Sequence, residues 1–196
     1  QKRIHGAKYA DFAVLYRGNH QARIFEQALR AAHIAYTISG GQSFYDKAEI
    51  KDVLAYMRVL ANPNDDPAFL RAATTPKRGI GDTTLGKLND YAKQHECSLF
   101  EAAGSLHALT ALSGKSRESL QQFMALLHDY GRRAQEDDAG ATIQDLLKDI
   151  DYENHLLAMS DNNSKMAENR WRNVQELCDW LARKGEEGER SLVDLT

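Results

Sequence analysis

The spacing of apolar residues changes near position 40. Before it, residues 11–16 (Asp-Phe-Ala-Val-Leu-Tyr) and 33–38 (His-Ile-Ala-Tyr-Thr-Ile) are short apolar runs suited to strands covered on both faces. Between them, residues 20–32 carry Ile24, Phe25, Ala28 and Leu29 at helical spacing. The pattern predicts a β-α-β fragment over residues 1–40. Two parallel strands cannot satisfy their own edges or bury both faces, so the fragment is expected to belong to a larger sheet. Gly40-Gly41 then reads as a hinge.

Beyond the hinge the apolar stripes have the helical period. Ile50, Val53, Leu54, Met57 and Leu60 share one face of a helix, and Ser43-Phe44-Tyr45-Asp46 before it resembles a capping box. Asp65-Asp66-Pro67 predicts a helix start with Asp66 as the cap and Pro67 in the first position. A short helix over 67–74 leads through a glycine turn into another over 83–94, with Leu85, Leu88 and Tyr91 inward. That is the outline of a helix-hairpin-helix backbone clamp. Further helices are expected over 99–103, 115–133, 142–150, 154–159 and 165–184. The predicted class is mainly α, with domains at 1–40 and 41–184. Residues 185–190 read as a solvated linker, and 191–196 as the opening of one more helix.

A chain of 196 residues with 42% apolar content can bury one sizeable core. No apolar run approaches membrane-spanning length and the N-terminal residues lack a signal peptide's apolar stretch, which leads us to expect a soluble, cytoplasmic protein with no membrane partner. Cys97 and Cys178 sit far apart among helix-period residues and are expected to be free, buried thiols. The net charge of −3 conceals an asymmetry. Residues 1–93 carry 14 Lys and Arg against 9 Asp and Glu, whereas residues 94–196 carry 11 against 19. A basic first half can attract a polyanion and an acidic second half can orient it, although charged runs also serve simply as solvated helix faces.

The richest chemistry lies in the basic half, at Thr75-Pro76-Lys77-Arg78-Gly79-Ile80-Gly81-Asp82-Thr83-Thr84. Gly79 and Gly81 allow positive φ and close approach of a ligand to the backbone, while Ile80 can plug into the core. Asp82 reads as the cap of the next helix, whose first amides and macrodipole favour an anion. Lys77 and Arg78 add charge, and Thr83 and Thr84 lie where hydroxyls could donate. Nothing here reads a base edge, so the ligand expected is a nucleic-acid backbone. An ordinary interhelical turn would share much of this pattern.

Other motifs fail. Gly114-Lys115-Ser116 copies the end of a phosphate-binding loop, but Leu109 stands where that motif needs glycine, and no strand precedes it. The seven histidines show no metal-ligand spacing. Asp65 and Asp66 are explained as caps, and Trp171 and Trp180 as core anchors of one helix rather than base-stacking platforms. No nucleophile and base are paired, so neither catalytic nor metal-binding residues are expected.

Several stretches together resemble a known family. They are Val14-Leu15-Tyr16-Arg17-Gly18-Asn19-His20-Gln21-Ala22-Arg23, Gly40-Gly41-Gln42-Ser43-Phe44, Glu49-Ile50-Lys51-Asp52, the run from Tyr56 to Asp66, and the Thr75–Thr84 turn. Their order is similar to that in bacterial superfamily-1 DNA helicases of the Rep, UvrD and PcrA group, most of all its Rep branch. The resemblance implies that residues 1–40 are the end of a RecA-like 2A segment and that the helical remainder is most of the inserted 2B subdomain. It implies single-stranded DNA contacts at Arg17 and Asn19, and duplex contacts at Lys51 and Thr84 beside the glycine turn. It further implies an accessory, regulatory role in an ATP-dependent 3′-to-5′ helicase of replication and repair, swivelling about the Gly40-Gly41 hinge. Implied partners are duplex DNA at a single-strand junction, the helicase's own motor domains, and replication or repair proteins.

The family's P-loop, its magnesium-binding acidic motif and its γ-phosphate-sensing arginine lie in segments not found here, so ATP and Mg are expected in the parent helicase rather than in this chain, which should not hydrolyse ATP by itself. Alternatives from the residues alone are a stand-alone DNA-binding module, and a protein-interaction or autoinhibitory module without direct DNA binding.

Overall fold

A computed structural model of the chain describes residues 7–18, 21–136 and 139–186. Asn19 and residues 187–196, which include most of the expected linker and last helix, lie outside the described residues. The chain divides into two compact units, residues 1–48 and 49–196.

In the first unit, helix α1 (Ala22–Ala31) stands where the periodicity places it. The flanking strands do not: no strand occurs among the described residues, and 12–16 and 34–38 form no ladder. A parallel pair has no edge partner and no covering layer within these residues, and ladder hydrogen bonds alone do not hold such a pair together in water. The apolar side chains intended for a sheet therefore stay in solvent, with Leu15 at 94%, Tyr9 at 61% and Phe12 at 57% exposure. Ile24 and Phe25 on α1 are exposed as well. The part of α1 that does bury is Ala22 and Glu26, one helical turn apart.

The second unit is helical throughout its described elements. They are α2 (Ala48–Ala61), α3 (Asp66–Thr74), α4 (Asp82–His95), α5 (Leu99–Gly104), α6 (Leu106–Thr110), α7 (Gly114–Glu136), α8 (Ala139–Asp149), α9 (Tyr152–Met159) and α10 (Ser164–Glu186). Helix α10 packs on α8 and α9, α7 on α5 and α8, and α5 on α4 and α3. The shared core includes Tyr56, Phe69, Leu88, Phe123, Ile143 and Leu177, each at most 1% exposed. Trp171 and Trp180 are half-buried flanks of α10 rather than its anchors; Val174, Leu177 and Leu181 fill that role.

The caps fall one residue from expectation. Asp65, not Asp66, accepts the Ala68 amide at 3.0 Å and caps α3. Asp66 instead reaches 33 residues onward to accept the Leu99 amide at 2.8 Å, capping α5 from a distance. Ser43 caps a short 3₁₀ turn, Phe44–Asp46, rather than the long helix after it. Asp82 is the first residue of α4, with Gly81 in the cap position. Helix α10 runs through Gly185, and α6 was not anticipated because five residues are too few to show a period.

A buried polar cluster joins the ends of this unit. Asp52 of α2 is 4% exposed and accepts from Arg71 Nε at 2.7 Å, Arg71 Nη2 at 2.6 Å and the Tyr152 hydroxyl at 2.7 Å. One turn back, Glu49 accepts from Asn173 Nδ2 at 2.7 Å. A buried carboxylate is tolerated when each lone pair meets a donor, and removing it strands those donors. Both cysteines are free; Cys178 is buried and its thiol is pushed up to about 12 by desolvation, which makes it inert, while Cys97 is half-buried. Asp52→Ala is expected to destabilise the helical unit by roughly 2–3 kcal/mol, since it takes away the buried acceptor that the Tyr152 hydroxyl and the Arg71 guanidinium share, leaving the hydroxyl only the longer contact to the Glu49 carbonyl at 3.3 Å. Urea unfolding followed by circular dichroism measures this, and an unchanged midpoint contradicts it.

Candidate nucleic-acid interface

The turn between α3 and α4 is held from below by α2. The Tyr56 hydroxyl, buried on α2, donates to the Thr75 carbonyl at 2.6 Å, with the Ala72 carbonyl at 3.1 Å. Burial pushes this phenol up to about 12, against the opposing pull of Arg78. Arg78 Nη2 donates to the same hydroxyl and to the Thr75 carbonyl at 3.0 Å, and its Nε donates to the Pro76 carbonyl at 3.2 Å. The guanidinium also lies 4.8 Å from the Phe123 ring centroid. Arg78 was expected to lend its charge to the turn; it is half-exposed, and its fork also ties down the carbonyls just after α3, a task suited to a planar multi-donor group.

Past Arg78 the chain needs one left-handed residue. Gly79 supplies it with φ +82°, and a Cβ there would meet Ser119 Oγ of α7 at 3.0 Å. Gly81 does not need its freedom, because its φ of −107° and ψ of 179° are open to other residues. Ile80 between them is 5% exposed and plugs the turn into the core as expected.

The result is a bend at the surface. Lys77, Gly79, Gly81, Asp82 and Thr83 are exposed. Among the described residues the amides of Asp82 and Thr83 have no internal acceptor, whereas those of Thr84 and Leu85 are returned to the Gly81 carbonyl at 2.9 and 3.0 Å. Two orphan donors of a helix start thus lie on the same exposed turn that carries Lys77. Thr84, expected to add a hydroxyl, is 5% exposed and packs inward. The Asp82 carboxylate stands on the same turn and opposes an incoming anion.

A cleft of about 280 Å³ opens beside the bend, lined by Lys77, Arg78, Ser119 and Gln122 with Phe123 as part of its floor; Asp149 on its wall makes its charge mixed. Lys51 is exposed on α2. In the other unit Arg17 is exposed, and its amide and that of Gly18 donate to the Gln21 side chain at 3.0 and 3.1 Å. Gly40 has φ +83° and Gly41 is exposed. Among the described residues no cluster of three or more His, Cys, Asp or Glu side chains could hold a metal, and no helix is long and apolar enough to cross a membrane.

Sequence reasoning missed His155 of α9. Its Nε2 is buried without a partner, and its ring lies 5.5 Å from that of Tyr152. Burial lowers its pKa; Asp52 pulls the other way, and Arg78 and Lys77 add to the depression. The imidazole is therefore neutral at neutral pH and adds no charge to the bend.

Against this geometry, residues 1–194 match the family model described as the UvrD-like helicase C-terminal domain. The chain belongs to that family. It is 45% identical over 178 residues to the ATP-dependent DNA helicase Rep of Salmonella typhimurium strain LT2, covering 91% of this chain and 26% of the relative. It is 44% identical over the same length to the Rep helicase of Escherichia coli K12. DNA helicase II of Escherichia coli K12 is 43% identical over 122 residues, covering 62% of this chain and 17% of the relative. The chain thus spans about a quarter of the length of its Rep-type relatives. These relatives of the UvrD-like segment are DNA helicases, the two Rep proteins ATP-dependent ones by name, in agreement with the resemblance read from its motifs.

Two outcomes test the construction of the bend. Tyr56→Phe leaves the Ala72 carbonyl and the guanidinium short of a partner and should cost about 1–2 kcal/mol in chemical denaturation. Equal stability would show that the hydroxyl does not hold the turn. For His155 the folded pKa lies below the ordinary 6.5, so its contribution to stability is complete above that pH and is lost as pH falls from it. The unfolding midpoint should drop more between pH 7.5 and 5.5 in the wild type than in His155→Phe; parallel drops would contradict the depressed value.

Proposed function

We propose that the helical unit is the accessory 2B-type, duplex-binding subdomain of a Rep-like, ATP-dependent 3′-to-5′ DNA helicase, gripping the sugar-phosphate backbone without regard to sequence. The observation that carries this reading is the exposed bend, which carries Lys77 and two helix-start amides that meet no acceptor among the described residues. Gly81, where an added Cβ would meet nothing within 4 Å, leaves that backbone open to a phosphate, Gly79 makes the turn that presents it, and Thr83 adds an exposed hydroxyl. In this reading Ile80, Arg78 and Thr84 build the turn from inside, while Lys51 supplies a second cationic contact on α2. The helix-hairpin-helix-like character of α3, turn and α4 is part of the same proposal.

The apolar face of the first unit supports a place in a larger protein. Leu15, Tyr9, Phe12 and Ile24 are left in water here, and three quarters of the relatives' length lies outside this segment. We infer that residues 12–16 and 34–38 become strands of the 2A sheet when its other strands cover them, and that Arg17 and Asn19 then reach single-stranded DNA in the motor groove. ATP and Mg belong to the motor in this reading, and the present chain contributes grip rather than turnover.

Titration of the chain against a fluorescent duplex with a single-stranded tail, at low and moderate salt, tests the proposal. Binding should weaken steeply with salt, because each phosphate contact releases counterions. Lys77→Ala and Lys51→Ala should each cost roughly 1 kcal/mol or less for any duplex sequence. Asp82→Asn, which removes the opposing carboxylate, should tighten binding. A module that meets only proteins would show no salt-sensitive binding and no effect of these changes, and a strong sequence preference would equally overturn backbone recognition.

A further inference from the structure

The cleft beside the bend shares a wall with the turn itself. Ser119 of α7 lines it, and the Ser119 Oγ lies 3.0 Å from where a Gly79 Cβ would stand. Lys77 and Arg78 belong to the same lining, so the group attached to a phosphate held at the bend lies against the cleft. Every lining residue is part of the helical unit.

The cleft combines an apolar body with a few polar groups. Phe123 forms part of the floor, and Leu126 and Ile150, both half-buried, add aliphatic wall. The Arg78 guanidinium, tied to the Thr75 and Pro76 carbonyls and 4.8 Å from the Phe123 ring centroid, gives it a flat cation in a fixed plane. Weakly hydrated guanidinium and aliphatic walls suit the face of a heteroaromatic ring. Asp149, the last residue of α8, accepts the Tyr130 hydroxyl at 2.5 Å through Oδ2, while Oδ1 accepts nothing among the described residues. A carboxylate so placed repels a second phosphate and accepts from an amino group. The exposed Gln122 amide reaches Glu118 only at 3.5 Å and can turn to a ligand. At about 280 Å³ the cleft falls just below the roughly 300–1,000 Å³ of sites that enclose drug-sized ligands, so it holds one ring rather than a longer segment.

We propose that this cleft is a subsite for one unpaired nucleotide adjoining the duplex backbone at the bend, with amino-bearing bases preferred to thymine through Asp149. A paired base cannot enter, because its amino edge is spent on its partner and its faces are stacked. The subsite therefore recognises the place where a duplex ends and leaves the duplex sequence unread. The inference rests on the reading of the bend as a phosphate grip, which supplies the attached nucleotide.

The test uses the whole chain and three hairpin duplexes: blunt, ending in one unpaired adenine nucleotide, and ending in one unpaired abasic nucleotide, on either strand in turn. Fluorescence anisotropy reads affinity, and methyl NMR reads Leu126 and Ile150. The adenine end should bind about fivefold tighter than the abasic end, the gain expected from seating one base, and it alone should shift both methyl signals. An unpaired thymine should gain less, and Asp149→Asn should narrow that difference. Leu126→Trp, which fills the cleft, should abolish the gain; the exposed change Gln122→Ala should reduce it, so a poorly folded Leu126→Trp would not leave the matter open. Deoxyadenosine monophosphate alone should shift the same methyls at millimolar concentration. Equal binding of all three hairpins with unmoved methyls overturns the subsite and leaves the backbone grip standing. Tighter binding of the adenine end with unmoved methyls puts the base elsewhere and also overturns it. Methyl shifts from the mononucleotide without binding of any hairpin keep the subsite and sink the grip. Unmoved methyls with every probe overturn the subsite and leave the cleft to a side chain of a protein partner.

Discussion

The surface bend depends on a cation turned inward. Arg78 uses its fork on the Tyr56 hydroxyl and two carbonyls at the end of α3, and only because those acceptors are met can the next residues leave the core and face solvent. Unmet carbonyls at a helix end cost about as much as the hydrogen bonds they lack, which would favour collapse of the turn against α7. Tyr56 and Asp52 lie four residues apart on α2, so one helix face carries both this pin and the carboxylate that receives Arg71 and Tyr152. Helix α2 is thus a strut whose buried polar groups, Glu49, Asp52 and Tyr56, are directed at its neighbours, and the exposed Lys51, Lys77 and helix-start amides are what the surface offers a ligand.

The electrostatics of the bend favour a modest grip. Lys77 and two amide dipoles attract an anion, Asp82 repels it, and neutral His155 leaves the balance unaltered at neutral pH. A subdomain that must let go of successive phosphates as a motor advances is served by such a balance, since tight contacts would slow release.

Much of this was legible from the residues, and the failures have physical causes. The existence of α2, α4, α7 and α10 follows from their period, although on α4 only Leu88 of the three residues expected inward is buried, with Thr84 and Ala92 beside it, and Ile80 follows from an apolar residue between two glycines in a polar loop. Caps were missed by one position because adjacent acidic residues compete for the role, and only three-dimensional packing assigns Asp66 to α5 rather than α3. Thr84 was expected to offer its hydroxyl to a ligand, and the inner role of Arg78 went unseen, because sequence does not reveal whether a hydroxyl or cation beside a turn meets water or a carbonyl. The strands failed for a different reason. Residues 12–16 carry strand-forming side chains, but a strand is a property of neighbours, and none is paired with them among the described residues. Glu26 offered no periodic signal at all: a lone acidic residue on a helix looks solvent-facing until its three donors, the Tyr36 hydroxyl, Ser43 Oγ and the Phe44 amide, are seen.

The bonds from Tyr152 to Asp52 and from Asn173 to Glu49 span 100 and 124 residues of chain. During synthesis α2 therefore leaves the ribosome long before its carboxylates can be matched, and the core of the helical unit closes only when α9 and α10 have emerged. Such a topology matures late and as a block, and while it waits its early helices are natural clients for chaperones.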